Sequence, residues 1–237
     1  MDILLLGKTG QVGRQLQRTL APLGAVTAPG RDALDLRDPA ALQDALRARR
    51  PDVIVNAAAY TAVDQAETDP QTASQVNAQA VAVLARYAKT SQALLVHYST
   101  DYVFDGAQSR PYTEDDPCHP LNVYGASKLA GEEAIHASAC DALILRCSWV
   151  YSPQGRNFLT TILQLARTRD SLDVIADQHG APTPATLIAE VTALAIGRHR
   201  KQALPRRTYH LAAAGSTNWH AYARHIVAGA TARGAAL

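Results

Sequence analysis

Short apolar runs alternate with longer helical patterns along the first two-thirds of the chain. The apolar runs show no polar alternation, which is typical of parallel strands buried on both faces. They predict strands at residues 3–6, 25–28, 53–55, 94–98 and 143–145. Between them, apolar positions that recur every three to four residues predict helices at 11–23, 39–49, 70–90 and 124–139.

This strand–helix–strand repetition predicts an α/β fold with a doubly wound parallel sheet (Rossmann-like) and right-handed crossovers. After Trp149 the pattern is less regular. Helices are predicted at 157–168 and 184–199, and short strands at 172–175 and 208–211. We therefore predict a main domain over 1–150 and a mixed region over 151–237, part sheet extension and part smaller C-terminal lobe.

Composition narrows the class of protein. The 237 residues are 47% hydrophobic and 19% charged, which excludes wholesale disorder. A net charge of +2 is too balanced for a nucleic-acid or anionic-membrane binder, and no apolar run approaches the roughly 20 residues of a membrane helix. The N-terminus lacks the pattern of a signal peptide. Cys118, Cys140 and Cys147 have no metal-ligand spacing and indicate reduced thiols in a cytoplasmic protein.

A glycine-rich turn lies between the first predicted strand and the first helix. Gly7 would end the strand in a tight turn, Gly10 would let the backbone approach a pyrophosphate, and Gly13 would let the helix pack on the sheet. The free N–H groups of the helix N-terminus attract phosphate. The turn lacks the G-K-[ST] ending of a P-loop, so the sequence favours a dinucleotide-binding domain over an ATPase.

The choice between NADH and NADPH depends on the end of the second strand. Residues 26–31 contain no Asp or Glu, where a carboxylate would bind the ribose diol of NAD. Arg31 could pair instead with the 2′-phosphate of NADPH, so we predict NADPH, with tolerance of NADH left open. Asp35 and Leu36 are expected beside the adenine.

Tyr124 and Lys128 are four residues apart on a predicted helix and therefore share one face. An ammonium near a phenol lowers the pKa of the phenol, and a Tyr so placed can exchange a proton with a carbonyl oxygen that receives hydride. Ser99 or Thr100, at the carboxyl end of the fourth strand, could supply a hydroxyl to the same oxygen; we favour Thr100. The small residues of 57–59 leave room for a cofactor against the backbone.

These residues resemble the extended short-chain dehydrogenase/reductase superfamily and, within it, the dTDP-4-dehydrorhamnose reductase family. The resemblance runs along essentially the whole chain. It is carried by residues 7–13, 51–64, 98–104, 120–125, 146–151 and 177–183, of which the last two blocks are typical of sugar-nucleotide members.

The resemblance implies reduction of the C4 ketone of dTDP-4-dehydro-6-deoxy-L-mannose to dTDP-L-rhamnose by NAD(P)H, with a sugar nucleotide as the small-molecule partner. It implies catalytic roles for Tyr124, Lys128 and Thr100. The implied substrate contacts are Thr100, Asp101, Tyr102, Tyr124 and Trp149. The cofactor contacts that we expect are Gly7, Thr9, Gly10, Gln11, Val12, Gly13, Arg31, Asp35, Leu36, Ala57, Ala58, Ala59, Tyr60, Thr61, Tyr98, Tyr124 and Lys128.

Two departures from the family pattern change the expectations. Family members usually continue beyond position 237, so we expect this chain to be C-terminally truncated. Some relatives hold Mg²⁺ through glutamates at a dimer interface, whereas Gln15 is neutral and a poor ligand for a hard cation. We therefore expect no bound metal, and a homodimer stays open.

Two rival functions stay open as well. A sugar-nucleotide 4-ketoreductase of another specificity, an epimerase or a dehydratase would share the Tyr/Lys pair; epimerases and dehydratases retain and regenerate their NAD. A second rival is a non-catalytic NADP-binding subunit like the regulatory subunit of methionine adenosyltransferase. The intact set of Tyr124, Lys128 and Thr100 argues against that binding module.

Overall fold

A parallel sheet of six strands forms the centre of the computed structural model, which describes residues 1–202, 204 and 207–236. The strands are β1 (Asp2–Leu6), β2 (Ala25–Thr27), β3 (Val53–Asn56), β4 (Leu94–Thr100), β5 (Ala142–Cys147), β6 (Val150–Tyr151), β7 (His179–Gly180), β8 (Thr183–Pro184), β9 (Thr208–His210) and β10 (Thr217–Asn218). The central sheet has the order β2-β1-β3-β4-β5-β9, and every neighbouring pair in it is parallel. The predicted fold class is therefore confirmed.

The helices follow the sheet strands in the expected alternation. They are α1 (Gln11–Leu20), α2 (Pro39–Arg49), α3 (Val63–Ala66), α4 (Pro70–Ser74), α5 (Ala80–Ser91), α6 (Val123–Ser138), α7 (Phe158–Ala166), α8 (Ala185–Lys201) and α9 (Trp219–Thr231). Helix α2 begins after Asp38, whose side chain accepts hydrogen bonds from two backbone N–H groups of the first turn. A 3₁₀ turn with Pro22 at its start follows α1, so the predicted helix 11–23 is regular only to Leu20.

The apolar runs divide into two cores, one on each face of the sheet. Leu4 and Leu6 of β1 pack with α2, α5 and α6, whereas Ile3 and Leu5 pack with α1 and α8. Successive side chains of a strand point to opposite faces. A strand covered by helices on both faces must therefore be apolar at every position, which explains the missing polar alternation.

Two predicted elements differ in the structure. The predicted helix 70–90 is α4 and α5 joined by a π-helical segment, Gln75–Gln79, in which Asn77 makes side-chain hydrogen bonds to Tyr60 and Ser127. The strand predicted at 172–175 is wrong: these residues form no strand. Leu172 and Val174 instead pack as a loop against the aromatic and apolar side chains of α7 and α9.

The last third of the chain contributes both to the central sheet with its helices and to a separate helical cluster. Strand β9 pairs with β5 and extends the central sheet, and α8 packs on α1. Helices α7 and α9 pack against each other around a separate apolar cluster. A domain boundary near residue 150 stays a prediction. Within the described ranges, no helix is long and apolar enough to cross a membrane.

Candidate active site

A cleft of about 840 Å³ opens at the carboxyl ends of the central strands. It lies where β1 is flanked by β2 on one side and β3 on the other. In open α/β sheets ligands bind at this point, because the loops leave neighbouring strands in opposite directions and separate. The cleft is lined by the turn after β1, the turn after β3, the end of β4 and the start of α6.

The glycine turn is shaped by close backbone contacts. Gly7 has φ +82°, a left-handed conformation that favours glycine, and its carbonyl accepts a 3.0 Å hydrogen bond from the Gly10 N–H. A Cβ on Gly13 would lie 2.0 Å from the Gly7 oxygen. Gly10 at the N-cap of α1 has no side chain to cover the first N–H groups of the helix. These groups face the cleft and fit the pyrophosphate of a dinucleotide.

Of the residues expected to contact cofactor, all but one line this cleft. Those lining it are Gly7, Thr9, Gly10, Gln11, Val12, Arg31, Asp35, Leu36, Ala57, Ala58, Ala59, Tyr60, Thr61, Tyr98, Tyr124 and Lys128. Gly13 lies behind the turn and packs against Gly7. Its contribution is therefore to the shape of the turn.

Arg31 lies at the rim of the cleft in a small charged group. Its Nε is 3.7 Å from a carboxylate oxygen of Asp35, and its side chain is 71% exposed. Arg37, which no sequence motif indicated, binds the same carboxylate at 2.6 and 2.9 Å. These hydrogen bonds lower the pKa of Asp35 to about 2, so it stays anionic. Two guanidinium groups thus surround one carboxylate at the position proposed for the adenosine.

The turn after β3 is held by Asn77 of the π-helical segment. Its Oδ1 accepts from the Tyr60 N–H at 2.9 Å, and its Nδ2 donates to the Tyr60 carbonyl at 3.0 Å. The same Nδ2 donates to the hydroxyl of Ser127 on α6 at 3.0 Å. This buried side chain therefore fixes one wall of the cleft relative to the Tyr/Lys helix.

Tyr124 lies in the first turn of α6 and is 9% exposed. The Thr100 side chain at the end of β4 lies close enough to its hydroxyl to lower the pKa of the phenol. Burial raises the pKa of Tyr124 to about 12, although the neighbouring Thr100 side chain opposes the shift. The expectation of a lowered phenol pKa is therefore wrong, because desolvation dominates and Lys128 is directed at other groups.

Lys128 lies one turn further along α6 and is 2% exposed. Its Nζ donates to the Tyr98 carbonyl oxygen at 2.6 Å and lies 3.3 Å from Nε2 of His97. Burial lowers the pKa of Lys128 to about 8, and the negative charge of Glu132 opposes this. The amine therefore titrates much closer to neutrality than a surface lysine does.

The end of β4 distinguishes the two candidate hydroxyls. Thr100 lies beside Tyr124, and its Oγ1 donates to Asp101 at 3.2 Å. The Ser99 hydroxyl is buried and makes no hydrogen bond in the described part of the chain. Burial raises the pKa of Asp101 and also that of Tyr102, whose ring meets Tyr124 edge-on at 5.6 Å. The preferred hydroxyl, Thr100, is thus the one beside the phenol.

Trp149 belongs to an aromatic group on the C-terminal side. Its ring stacks on Trp219 with centroids 3.4 Å apart, and its φ is +47°. The other face of the indole meets Gly180, where a Cβ would lie 2.5 Å from the ring. No local motif signals Trp219, because its contact with Trp149 joins segments far apart in the chain, whereas Gly180 lies in the block 177–183 that carries the family resemblance. Contact of Trp149 with substrate stays a prediction.

Further cleft residues were missed. Cys147 could have been found, because it ends the fifth strand. Burial raises the pKa of its thiol to about 12. Positive side chains also line the cleft: Lys8 of the glycine turn, Arg14 of α1, and Arg37 and Arg156 of loops. In the described ranges, no group of three or more His, Cys, Asp or Glu residues could hold a metal ion, and the absence of a metal stays a prediction.

A Rossmann-like sheet with a glycine turn at its switch point and a Tyr/Lys pair beside the same cleft defines a short-chain dehydrogenase/reductase, a class of NAD(P)-dependent oxidoreductases. The family model described as RmlD substrate binding domain matches residues 1–237. The chain therefore belongs to the RmlD substrate binding domain family.

Several of its relatives carry the same name, dTDP-4-dehydrorhamnose reductase. The dTDP-4-dehydrorhamnose reductase of Burkholderia thailandensis is 49% identical over 232 residues, which cover 96% of this chain and 78% of that protein. A dTDP-4-dehydrorhamnose reductase structure from Clostridium acetobutylicum has a TM-score of 0.91 and 34% identity, over 100% of this chain and 82% of that one. The Bacillus anthracis reductase in complex with NADP has a TM-score of 0.89 and 34% identity, over 97% and 80%.

Proposed function

We propose that this chain is an NADPH-dependent dTDP-4-dehydrorhamnose reductase, which reduces the C4 ketone of dTDP-4-dehydro-6-deoxy-L-mannose to give dTDP-L-rhamnose. The carrying observation is the Tyr124 phenol, buried at the cleft beside Thr100, on the helix that also bears Lys128. The 49% identity to a curated reductase supports the substrate.

Tyr124 is the proton donor in this proposal. Its pKa of about 12 keeps the phenol protonated at neutral pH, which is the form that a general acid needs. The C4 oxygen gains negative charge as hydride arrives at the carbon, and it takes the phenolic proton. Thr100, beside the phenol, is assigned to offer the substrate oxygen a second hydroxyl in place of its hydrogen bond to Asp101. The phenolate that remains is reprotonated from solvent.

The cofactor is held, in this proposal, by the glycine turn, the rim arginines and the turn after β3. The free N–H groups of α1 fit the pyrophosphate, and Arg31 with Arg37 fits a 2′-phosphate. When bound, NADPH supplies the hydride. Lys128 is assigned to the nicotinamide ribose because its amine is buried where the Tyr98 backbone borders the cleft.

The substrate side is assigned to Asp101, Tyr102 and Trp149. Asp101 accepts a hydrogen bond from the Thr100 hydroxyl, and the Tyr102 ring contacts the Tyr124 ring. Both residues therefore directly contact one of the proposed catalytic side chains. The positive side chains of the cleft suit two anionic nucleotides. We also propose a cytoplasmic location, which the three free thiols support. The proposed function does not depend on whether the protein is a monomer or a homodimer.

The test is turnover of the keto-sugar nucleotide with NADPH, followed by absorbance and by identification of the sugar product. Tyr124→Phe should lower kcat by about 10²–10⁴-fold while NADPH affinity is retained. Tyr87→Phe, on α5 and outside the cleft, is the matched control. Unchanged turnover in Tyr124→Phe would refute the role of the phenol.

Two other outcomes identify the rivals. Conversion of the sugar nucleotide without net consumption of NADPH would identify an epimerase or a dehydratase. Tight binding of NADPH with no turnover of any 4-keto sugar nucleotide would favour the non-catalytic binding subunit.

A further inference from the structure

A row of buried, hydrogen-bonded polar side chains begins at Lys128. It passes through His97 and Asn56 and ends at the backbone of Ala58, in the wall of the cleft. Lys128, His97 and Asn56 are 2%, 0% and 1% exposed. Nζ of Lys128 lies 3.3 Å from Nε2 of His97, and Nδ1 of His97 lies 3.1 Å from Nδ2 of Asn56. The Asn56 Oδ1 accepts from the Ala58 N–H at 3.3 Å. Ala58 lines the cleft, so the row links the lysine to the turn after β3.

The direction of each hydrogen bond in this row is fixed by its neighbour. The Ala58 N–H can only donate, so Asn56 presents its oxygen to Ala58 and its NH₂ to His97. Nδ1 of His97 must then accept, and a neutral imidazole carries its single proton on Nε2. Burial and the charge of Lys128 lower the pKa of His97 well below its usual value, which excludes the doubly protonated ring.

The Nε2–H group of His97 points at a nitrogen that is itself a donor when charged. An ammonium at Lys128 would place two donors 3.3 Å apart in a buried site. A neutral amine has a lone pair for Nε2–H and still keeps N–H groups for the Tyr98 carbonyl at 2.6 Å. The hydrogen bonds of this structure therefore match the neutral form of Lys128.

We propose that His97 and Asn56 are positioning residues that couple the protonation of Lys128 to the backbone turn at Ala58. When Lys128 takes up a proton, Nε2 must accept from it, and the ring proton moves to Nδ1. Asn56 must then turn its oxygen towards His97, which removes the acceptor from the Ala58 N–H. Protonation of the lysine thus loosens one hydrogen bond of the cofactor-binding wall.

The other groups near Lys128 do not supply an alternative acceptor for the extra proton. Glu132, on the next turn of α6, favours the ammonium by charge, but its carboxylate is bonded to Arg146. The Cys147 thiol on β5 is neutral because burial raises its pKa to about 12. The Tyr124 phenol is neutral because burial raises its pKa to about 12. His97 is therefore the neighbour whose hydrogen bonds must change when Lys128 takes up a proton.

The experiment follows both titrating groups in the full chain without substrate. The chain contains four lysines and eight histidines, so ¹³Cε-lysine and ¹⁵N-histidine labelling gives few signals, assigned with Lys128→Arg and His97→Gln. We expect His97 to carry its proton on Nε2 at alkaline pH and on Nδ1 at lower pH. This tautomer change should have the same midpoint pH as the titration of the Lys128 Cε signal. That midpoint should lie well below the midpoints of the other lysines.

One fixed His97 tautomer across the Lys128 titration, or a Lys128 midpoint equal to that of the surface lysines, would overturn the coupling. Asn56→Asp provides a carboxylate that accepts from both Ala58 and His97 Nδ1–H. In it His97 should keep Nδ1–H throughout, and the Lys128 midpoint should rise by about one pH unit or more. His225→Gln, exposed on α9, should change neither signal.

This inference rests on the proposed function only for its consequence in catalysis. The titrations need neither cofactor nor sugar, so coupled signals in a protein without reductase activity would leave it standing. Uncoupled signals in an active reductase would refute the coupling of Lys128 to His97 and leave the proposed function intact. If Asn56→Asp does not fold, the titration of the unaltered chain still decides the question.

Discussion

Arg146 and Glu132 form a bidentate ion pair inside the protein. Nη2 and Nε of the arginine lie 2.6 and 3.0 Å from the two carboxylate oxygens, and the side chains are 7% and 2% exposed. The pair joins β5 to α6 one turn after Lys128. It therefore fixes the depth at which the Tyr/Lys helix packs on the sheet.

Removal of one partner of this pair should be strongly destabilising. Glu132→Ala leaves the guanidinium buried without its counter-charge, and we expect the free energy of unfolding to fall by about 3–5 kcal/mol. Urea denaturation measures it. The matched control is Glu190→Ala, in an exposed pair with Arg18 at 3.5 Å, where the loss should stay below about 1 kcal/mol. Equal losses in both variants would contradict the structural role of the buried pair.

Gly13→Ala should damage the cofactor turn. The new Cβ would lie 2.0 Å from the Gly7 oxygen, so the turn or α1 must shift. We expect at least a tenfold rise in the Kd for NADPH, together with lower stability. Gly197→Ala is the matched control in α8, because a Cβ there meets nothing within 4 Å. It should leave the Kd unchanged and raise stability by about 0.5–1 kcal/mol. Fluorescence titration and thermal unfolding measure the two effects.

Arg31→Ala tests the recognition of the 2′-phosphate. Loss of a charge-assisted hydrogen bond should raise the Kd for NADPH about tenfold and leave the Kd for NADH nearly unchanged. Fluorescence titration with both cofactors gives the ratio. Arg47→Ala, on α2 and outside the cleft, should change neither value. A parallel loss of both affinities in Arg31→Ala would argue for general electrostatic attraction instead.

The buried amine of Lys128 predicts a specific dependence of stability on pH. Its pKa is about 8 in the folded protein, against 10.5 for a lysine exposed to water. Between these values the unfolded chain holds a proton that the folded protein has released, so stability rises with pH. Relative to Lys128→Met, the unaltered protein should gain about 2–3 kcal/mol between pH 7 and pH 10 in chemical denaturation.

Lys89→Met serves as the control for this pH effect, because Lys89 is exposed. Its stability difference from the unaltered protein should stay nearly constant over the same range. A constant difference in Lys128→Met as well would mean that the folded protein keeps the proton on Lys128 up to alkaline pH.

Much of the fold was predictable because burial on both faces leaves a direct trace in the sequence. Leu4 and Leu5 serve opposite cores, so the strand could not tolerate a polar position. The strand predicted at 172–175 was wrong because burial also makes loop residues apolar. Leu172 and Val174 are apolar because a loop covers α7 and α9, and a short apolar stretch does not reveal which partner it covers.

The candidate site was predictable where a local motif carries the chemistry. The glycine turn and the i, i+4 relation of Tyr124 and Lys128 are local, and they reach the same cleft. The pKa of Tyr124 was not predictable, because desolvation depends on the whole surroundings of the phenol. Trp219 was missed because folding brings it to Trp149 from a distant part of the chain. Arg37 is only two residues from its partner Asp35 and was missed because no motif singles it out.

The π-helical turn around Asn77 makes the length of the chain between β3 and β4 critical. Deletion of one residue from Gln75–Gln79 would allow an unbroken α-helix, which is locally the more regular form. It would also rotate everything before the deletion by about 100° relative to everything after it. Asn77 could then no longer reach both backbone groups of Tyr60 while α5 kept its packing. The irregular turn thus acts as a spacer that no simple straightening of the helix can replace.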